Sequence, residues 1–201
     1  YYVEHGFLDD VNAIYGVHIW GDLDAPYMNF ESGPRMASCD NFRIEVEGKS
    51  AHGSTPHQGV DAILAAAHII TEIQTVVSRM NDPLNPLVIT VGTINGGQRF
   101  NILADKVVME GTTRTHSPKM RQKTEPLLRR IIENTADSMG AKATLTFEYF
   151  PAPIINDHED LVRIARNAAT KMYGTDSLKP FPKMMISEDF AYYMEKVPGV
   201  F

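Results

Sequence analysis

The chain has 201 residues, 43% of them hydrophobic and 22% charged, an ordinary globular composition that can bury real cores in one or two domains. Its formal net charge of −6 and the scatter of its 19 basic residues leave no basic stripe, which argues against nucleic acid or an anionic membrane as partner and favours a small-molecule or peptide-like substrate. A single cysteine, Cys39, excludes an internal disulfide and a Cys-x-x-Cys site, so a reducing cytoplasm is the default location.

No signal-peptide pattern opens the chain, and the longest apolar stretch, Ala62 to Ile70, is interrupted by His68 and too short to span a bilayer. The opening Tyr1-Tyr2-Val3-Glu4 has no initiator Met, and Gly199-Val200-Phe201 reads as an unfinished strand, so both ends look cut. Residues 1–36 offer only an extended piece at Ala13 to His18.

From Asn41 to Pro151 the order is strand, helix, strand, strand, helix, strand, as in a ferredoxin-like βαββαβ unit. Phe42, Ile44 and Val46 alternate with Arg43, Glu45 and Glu47, the period of a strand with one buried face. After a Gly/Ser/Pro-rich loop, Ile63, Ala66, Ala67, Ile70, Ile73 and Val77 recur at helical spacing and predict the buried stripe of a helix ending before Asn81-Asp82-Pro83. Leu87, Ile89 and Val91 lead to the Gly96-Gly97 turn signal, and Val107 to Met109 resumes an extended run. Ser117-Pro118 then supplies an N-cap and an N1 proline, Leu128, Ile131, Ile132, Thr135 and Met139 form the predicted stripe, and Gly140 stops the helix. Leu145, Phe147 and Tyr149 alternate with Thr144, Thr146 and Glu148 in the last strand.

Residues 152–201 again hold only fragments, a helix near Asp160 to Tyr173 and an apolar run at Met184 to Ile186, and neither flank can form an independent core. The expected organisation is therefore a self-contained four-stranded domain at 37–151 inserted in an incomplete α/β domain made from 1–36 and 152–201.

Four patches could carry chemistry. His18, in Gly16-Val17-His18, ends an extended run, where a strand can aim an imidazole at a metal; a satisfied surface histidine is the plain alternative. His52 lies in Gly48-Lys49-Ser50-Ala51-His52-Gly53-Ser54-Thr55-Pro56-His57, a loop that either displays a functional group or simply turns. Asn101 is a turn former or a partner for a substrate amide. Arg114, in Gly111-Thr112-Thr113-Arg114, could grip a carboxylate through its two-pronged guanidinium or be an exposed strand-end arginine. His57, His68 and His116 show no partner pattern and read as surface or capping residues, and Met184-Met185 as core filler.

The order of these patches, followed by Ser187-Glu188-Asp189-Phe190 and Val197-Pro198-Gly199, closely resembles the M20 metallopeptidase and amidohydrolase family over essentially the whole chain. The nearest branch contains hippurate hydrolases, N-acyl-L-amino acid amidohydrolases and auxin-conjugate hydrolases. The resemblance implies an α/β catalytic domain holding two divalent metals, zinc or manganese with cobalt or nickel as further candidates. It also implies an inserted ferredoxin-like lid that makes a homodimer. His18 would be a metal ligand, and His52 a lid histidine stabilising the oxyanion in the partner subunit's active site. Asn101 and Arg114 would orient the substrate's backbone and carboxylate.

The family's Cys/His/Asp segment, its Glu-Glu pair and a further ligand histidine have no counterpart here, and neither His5 nor Cys39 sits in a motif that replaces them. The expectation is a fragment that does not retain the metals and is inactive alone, its full-length enzyme hydrolysing N-acyl amino acids. The alternative is a non-catalytic ferredoxin-like dimerisation or binding module.

Overall fold

A computed structural model describes residues 2–201. In chain order its strands and α-helices are β1 (Ile14–Tyr15), β2 (Gly33–Met36), β3 (Asp40–Glu47), α1 (Ala62–Glu72), β4 (Leu87–Gly96), β5 (Lys106–Thr115), α2 (Pro118–Ser138), β6 (Lys142–Tyr149), β7 (Ile154–Asn156), α3 (Glu159–Tyr173), α4 (Ala191–Met194) and β8 (Gly199–Val200). They fall into two compact units, Cys39–Phe150 and the remainder on either side of it in sequence. The mixed α/β class expected from the sequence is the class observed.

The Cys39–Phe150 unit is an antiparallel sheet in the order β4-β5-β3-β6, so the two middle strands in space are the first and third in sequence. Phe42, Ile44 and Val46 point into the core, as their alternation requires, opposite Gly111, Met109 and Val107 on one side and Phe147, Leu145 and Ala143 on the other. Tyr149 departs from the expected pattern: it is half exposed, because its hydroxyl reaches out to the Glu125 carboxylate at 3.0 Å. Burial and this hydrogen bond raise the phenol's pKa.

The stripe of α1 is rotated from the one the spacing predicts. Ala62, Ala65, Ala66 and Ile69 are buried, followed past the helix end by Ile73 and Val76, while Ile63 is 46% exposed and Ile70 and Val77 only half-buried. Nearly every position from 62 to 70 is apolar, so periodicity alone does not choose a face. The sheet takes the alanine side, where small side chains let helix and strands approach closely. Asp61 caps the helix by accepting from the Ile63 and Leu64 N–H groups at 3.0 and 3.1 Å.

Helix α2 begins as expected, with the Ser117 side chain accepting from Met120 N–H at 3.2 Å and Pro118 in the first turn. Gly140, at φ +71°, ends it: Ala141 N–H donates to the Ala136 carbonyl and Gly140 N–H to that of Asp137, a Schellman closure. Met120, Thr124, Leu128, Ile132 and Ala136 form its buried line, whereas Ile131, Thr135 and Met139 flank that line half-buried rather than forming it.

Asp40, fully buried at the start of β3, accepts from the Arg121 guanidinium at 2.7 and 2.9 Å and from Phe150 N–H at 3.1 Å. Arg121 also lies 5.3 Å from the centroid of the Tyr149 ring. One charge pair thus ties the chain's entry into the unit, the first turn of α2 and the exit after β6.

The other unit has two small sheets. β1 runs parallel to β8, Ile14 opposite Gly199, and β2 antiparallel to β7 with a bulge between Pro34 and Met36. The extended piece expected from Ala13 to His18 is a strand only at Ile14–Tyr15, and Met184 makes an isolated bridge to Met36 instead of a strand. Both flanks contribute to its clusters: Phe30 joins Val162, Ala169 and Val200, and Met36 joins Ile154 and Ala191. Buried Asn156 donates to the Glu31 and Phe201 carbonyls and accepts from Phe201 N–H. Among the described residues no helix is long and apolar enough to cross a membrane.

Candidate functional site

The loop bearing His52 is built by close backbone approach. Lys49 and Val60 exchange N–H···O bonds of 2.8 and 2.9 Å, and a Cβ on Gly48 would collide with the Val60 carbonyl. The closed loop is then zipped to the connection between β4 and β5. Leu103 N–H donates to the Ala51 carbonyl at 2.9 Å, Gly53 N–H donates to the Asn101 carbonyl at 2.8 Å, and His52 bridges Ile102. Two of the residues singled out from sequence, His52 and Asn101, are therefore neighbours on paired backbone, both exposed. The His52 Nδ1 faces Ser54, whose N–H and Oγ lie 3.2 and 2.6 Å away. His57 and His68 are exposed, but His116, expected as a surface or capping residue, is buried where β5 turns into α2, next to Ser117, which caps that helix.

Arg114 stands near the end of β5, opposite Val88, on the sheet face away from the helices. It is half-buried and makes no hydrogen bond or ion pair to any described residue, including His52 and Asn101. Arg43, on the same face, shows the contrast. Its guanidinium bonds Glu45 at 2.8 Å and Glu110 at 2.9 Å, which raises its pKa. Glu45, held by Lys106 and then by Arg43, is shifted below the ordinary carboxylate value. The arginine expected to bind a substrate is thus an uncommitted one.

His18 lies in the other unit. Its Nδ1 is 2.7 Å from Glu188 Oε2, with the carboxylate side chain 16% exposed and the imidazole 44%. A carboxylate on one ring nitrogen orients a histidine so that the other nitrogen can meet a ligand. Glu188 carried no role from sequence, although it sits in the Ser187-Glu188-Asp189-Phe190 patch; the acidic residue of that patch was the available signal. Gly16 has a packing reason as well, because a Cβ there would strike the Phe190 ring. Gly16-Val17-His18 and the patch around Glu188 are therefore one construction. Beside His18 is a cavity of about 390 Å³, lined largely by apolar groups including Trp20, Met28, Phe30 and Met184.

Among the described residues no three His, Cys, Asp or Glu side chains gather to hold a metal ion. A catalytic zinc takes three protein ligands. The His18–Glu188 pair does not make such a set.

The peptidase dimerisation domain of the M20 family matches residues 39–139. N-acetyl-L-cysteine deacetylase of Bacillus subtilis is 38% identical over 199 residues, 99% of this chain and 47% of that protein. N-acyl-L-amino acid amidohydrolase of Geobacillus stearothermophilus is 36% identical over 157 residues, 78% of this chain and 42% of that protein. The crystal structure of a dinuclear metal-binding M20 peptidase from Bacillus subtilis superposes with a TM-score of 0.82 at 30% identity, over 100% of this chain and 49% of its own. The chain spans about half the length of the curated relatives it matches. Since the dimerisation-domain match takes in half the residues and the flanking Gly16-Val17-His18 and Glu188 segments fall within the longer matches, the chain belongs to the M20 family of metallopeptidases and amidohydrolases.

Proposed function

We propose that the chain is part of a metal-dependent amidohydrolase that cleaves the amide bond of N-acyl amino acids, hippurate-like compounds among them. In this reading residues 37–151 form the lid through which two copies associate as a homodimer, and 1–36 and 152–201 belong to the catalytic domain. His18 is one ligand of a divalent-metal set that the described residues do not complete. His52 donates a hydrogen bond to the oxygen that becomes negative as the amide is attacked, Asn101 holds the substrate's backbone amide and Arg114 its carboxylate. The observation that supports the reading most is the pairing of His52 and Asn101 on one rigid backbone zipper, a polar pair displayed side by side. The relatives' names, a deacetylase and an amidohydrolase of N-acylated amino acids, support the substrate class.

Substrate choice tests it. A guanidinium binds a carboxylate through two parallel hydrogen bonds, each charge-assisted. In the full-length enzyme Arg114→Ala is expected to lower kcat/KM for an N-acyl amino acid by about ten- to two-hundred-fold, the equivalent of one strong charged hydrogen bond. Arg114→Lys, which keeps the charge and loses the fork, falls between. Wild type prefers the acid over its carboxamide and the alanine variant does not; equal weakening of both substrates would show that Arg114 serves the fold instead.

A further inference from the structure

Ser54 follows His52 in a tight turn closed by Thr55 N–H donating to the His52 carbonyl at 2.8 Å. Within that turn the Ser54 N–H points at His52 Nδ1 from 3.2 Å, and Ser54 Oγ lies 2.6 Å from the same nitrogen. A backbone N–H can only donate, so Nδ1 accepts. The hydroxyl beside it, meeting a nitrogen lone pair, donates too. A proton on Nδ1 would face the Ser54 N–H head on, which leaves Nε2 as the protonated nitrogen of the neutral ring. The backbone on which this happens is itself fixed, since Gly53 N–H is held by the Asn101 carbonyl and a Cβ on Gly53 would press on that carbonyl at 3.1 Å.

We infer that Ser54 is a positioning residue: it holds His52 as an Nε2–H donor, with its one mobile proton turned away from the loop. Its consequence for catalysis rests on the proposed role of His52, but the tautomer itself does not. The hydroxyl supplies what the backbone alone does not, a second, shorter bond that keeps the ring from rotating about its side-chain torsions.

The test is a long-range ¹⁵N–¹H spectrum of the labelled chain, with the ring of His52 assigned by its disappearance in His52→Ala. Wild type should show Nε2 protonated and Nδ1 as an acceptor. Ser54→Ala should bring the two nitrogen shifts toward each other as the tautomers mix, and Ser54→Thr, which keeps the hydroxyl, should restore the wild-type pattern. A wild-type ring protonated on Nδ1, or shifts unchanged in Ser54→Ala, overturns the inference. In the full-length enzyme Ser54→Ala should lower kcat by roughly two- to ten-fold with KM within about two-fold, the loss of one neutral hydrogen bond. If the tautomers mix in Ser54→Ala while neither it nor His52→Ala alters turnover, Ser54 positions the ring as inferred and the catalytic role of His52 is what fails.

Discussion

Replacing His52 with alanine in the full-length enzyme should lower kcat on N-acyl amino acids by roughly a hundred- to a thousand-fold and leave the metal content unchanged. The size follows from the loss of one preorganised donor to a developing oxyanion. The direction of the kinetic change follows from when that bond forms: a donor aimed at charge that exists only in the transition state affects kcat, with little effect on substrate binding. Metal content is the control, because the His52 side chain bonds Ser54 and, among the described residues, has no acidic or sulfur partner. If His52 serves the partner's site, mixing His52→Ala with a His18→Ala variant should recover part of the activity through hybrid dimers. No recovery, with subunit exchange verified, would confine its action to its own subunit, and unchanged kcat in His52→Ala would remove it from the mechanism.

Asp40→Ala should destabilise the Cys39–Phe150 unit by about 3–5 kcal/mol, since it removes the carboxylate that balances the largely buried Arg121 guanidinium and leaves that charge with the Phe150 carbonyl and the Tyr149 ring among its described contacts. The Asp40 side chain is 1% exposed and that of Arg121 13%, so water does not reach the pair easily. The Phe150 N–H loses its acceptor as well, at the point where β6 ends. Urea unfolding measures this as a lower midpoint at unchanged slope. Asp40→Ala with Arg121→Met should lose less than Asp40→Ala alone, because the double variant leaves no uncompensated charge. A single variant within about 1 kcal/mol of wild type would show that the pair is solvated and does not hold the unit together.

The parts of this structure that were legible in the sequence are those governed by local rules. The alternation from Phe42 to Glu47 and the Ser117-Pro118 start and Gly140 stop of α2 are dictated by residues within a few positions of one another. The phase of α1 was not legible, because an almost continuous apolar run carries no preferred face until the sheet selects the alanines. Contacts between distant residues were equally silent. Asp40 meets Arg121 from 81 positions away and His18 meets Glu188 from 170, and nothing in either neighbourhood announces the other. Gly16 shows how a motif can hold such a contact without naming it: its lack of a side chain is room for Phe190. The buried position of His116 belongs to the same class, set by how β5 enters α2 rather than by the residues beside it.

Turnover of N-benzoylglycine by the full-length enzyme, followed as release of glycine before and after treatment with a chelator, tests metal-dependent amidohydrolysis most directly. The expected result is hydrolysis that is lost on chelation and regained with zinc or manganese, as metal-dependent amide hydrolysis requires. Hydrolysis that survives complete metal removal, or no hydrolysis of any N-acyl amino acid by folded, metal-loaded protein, would contradict it.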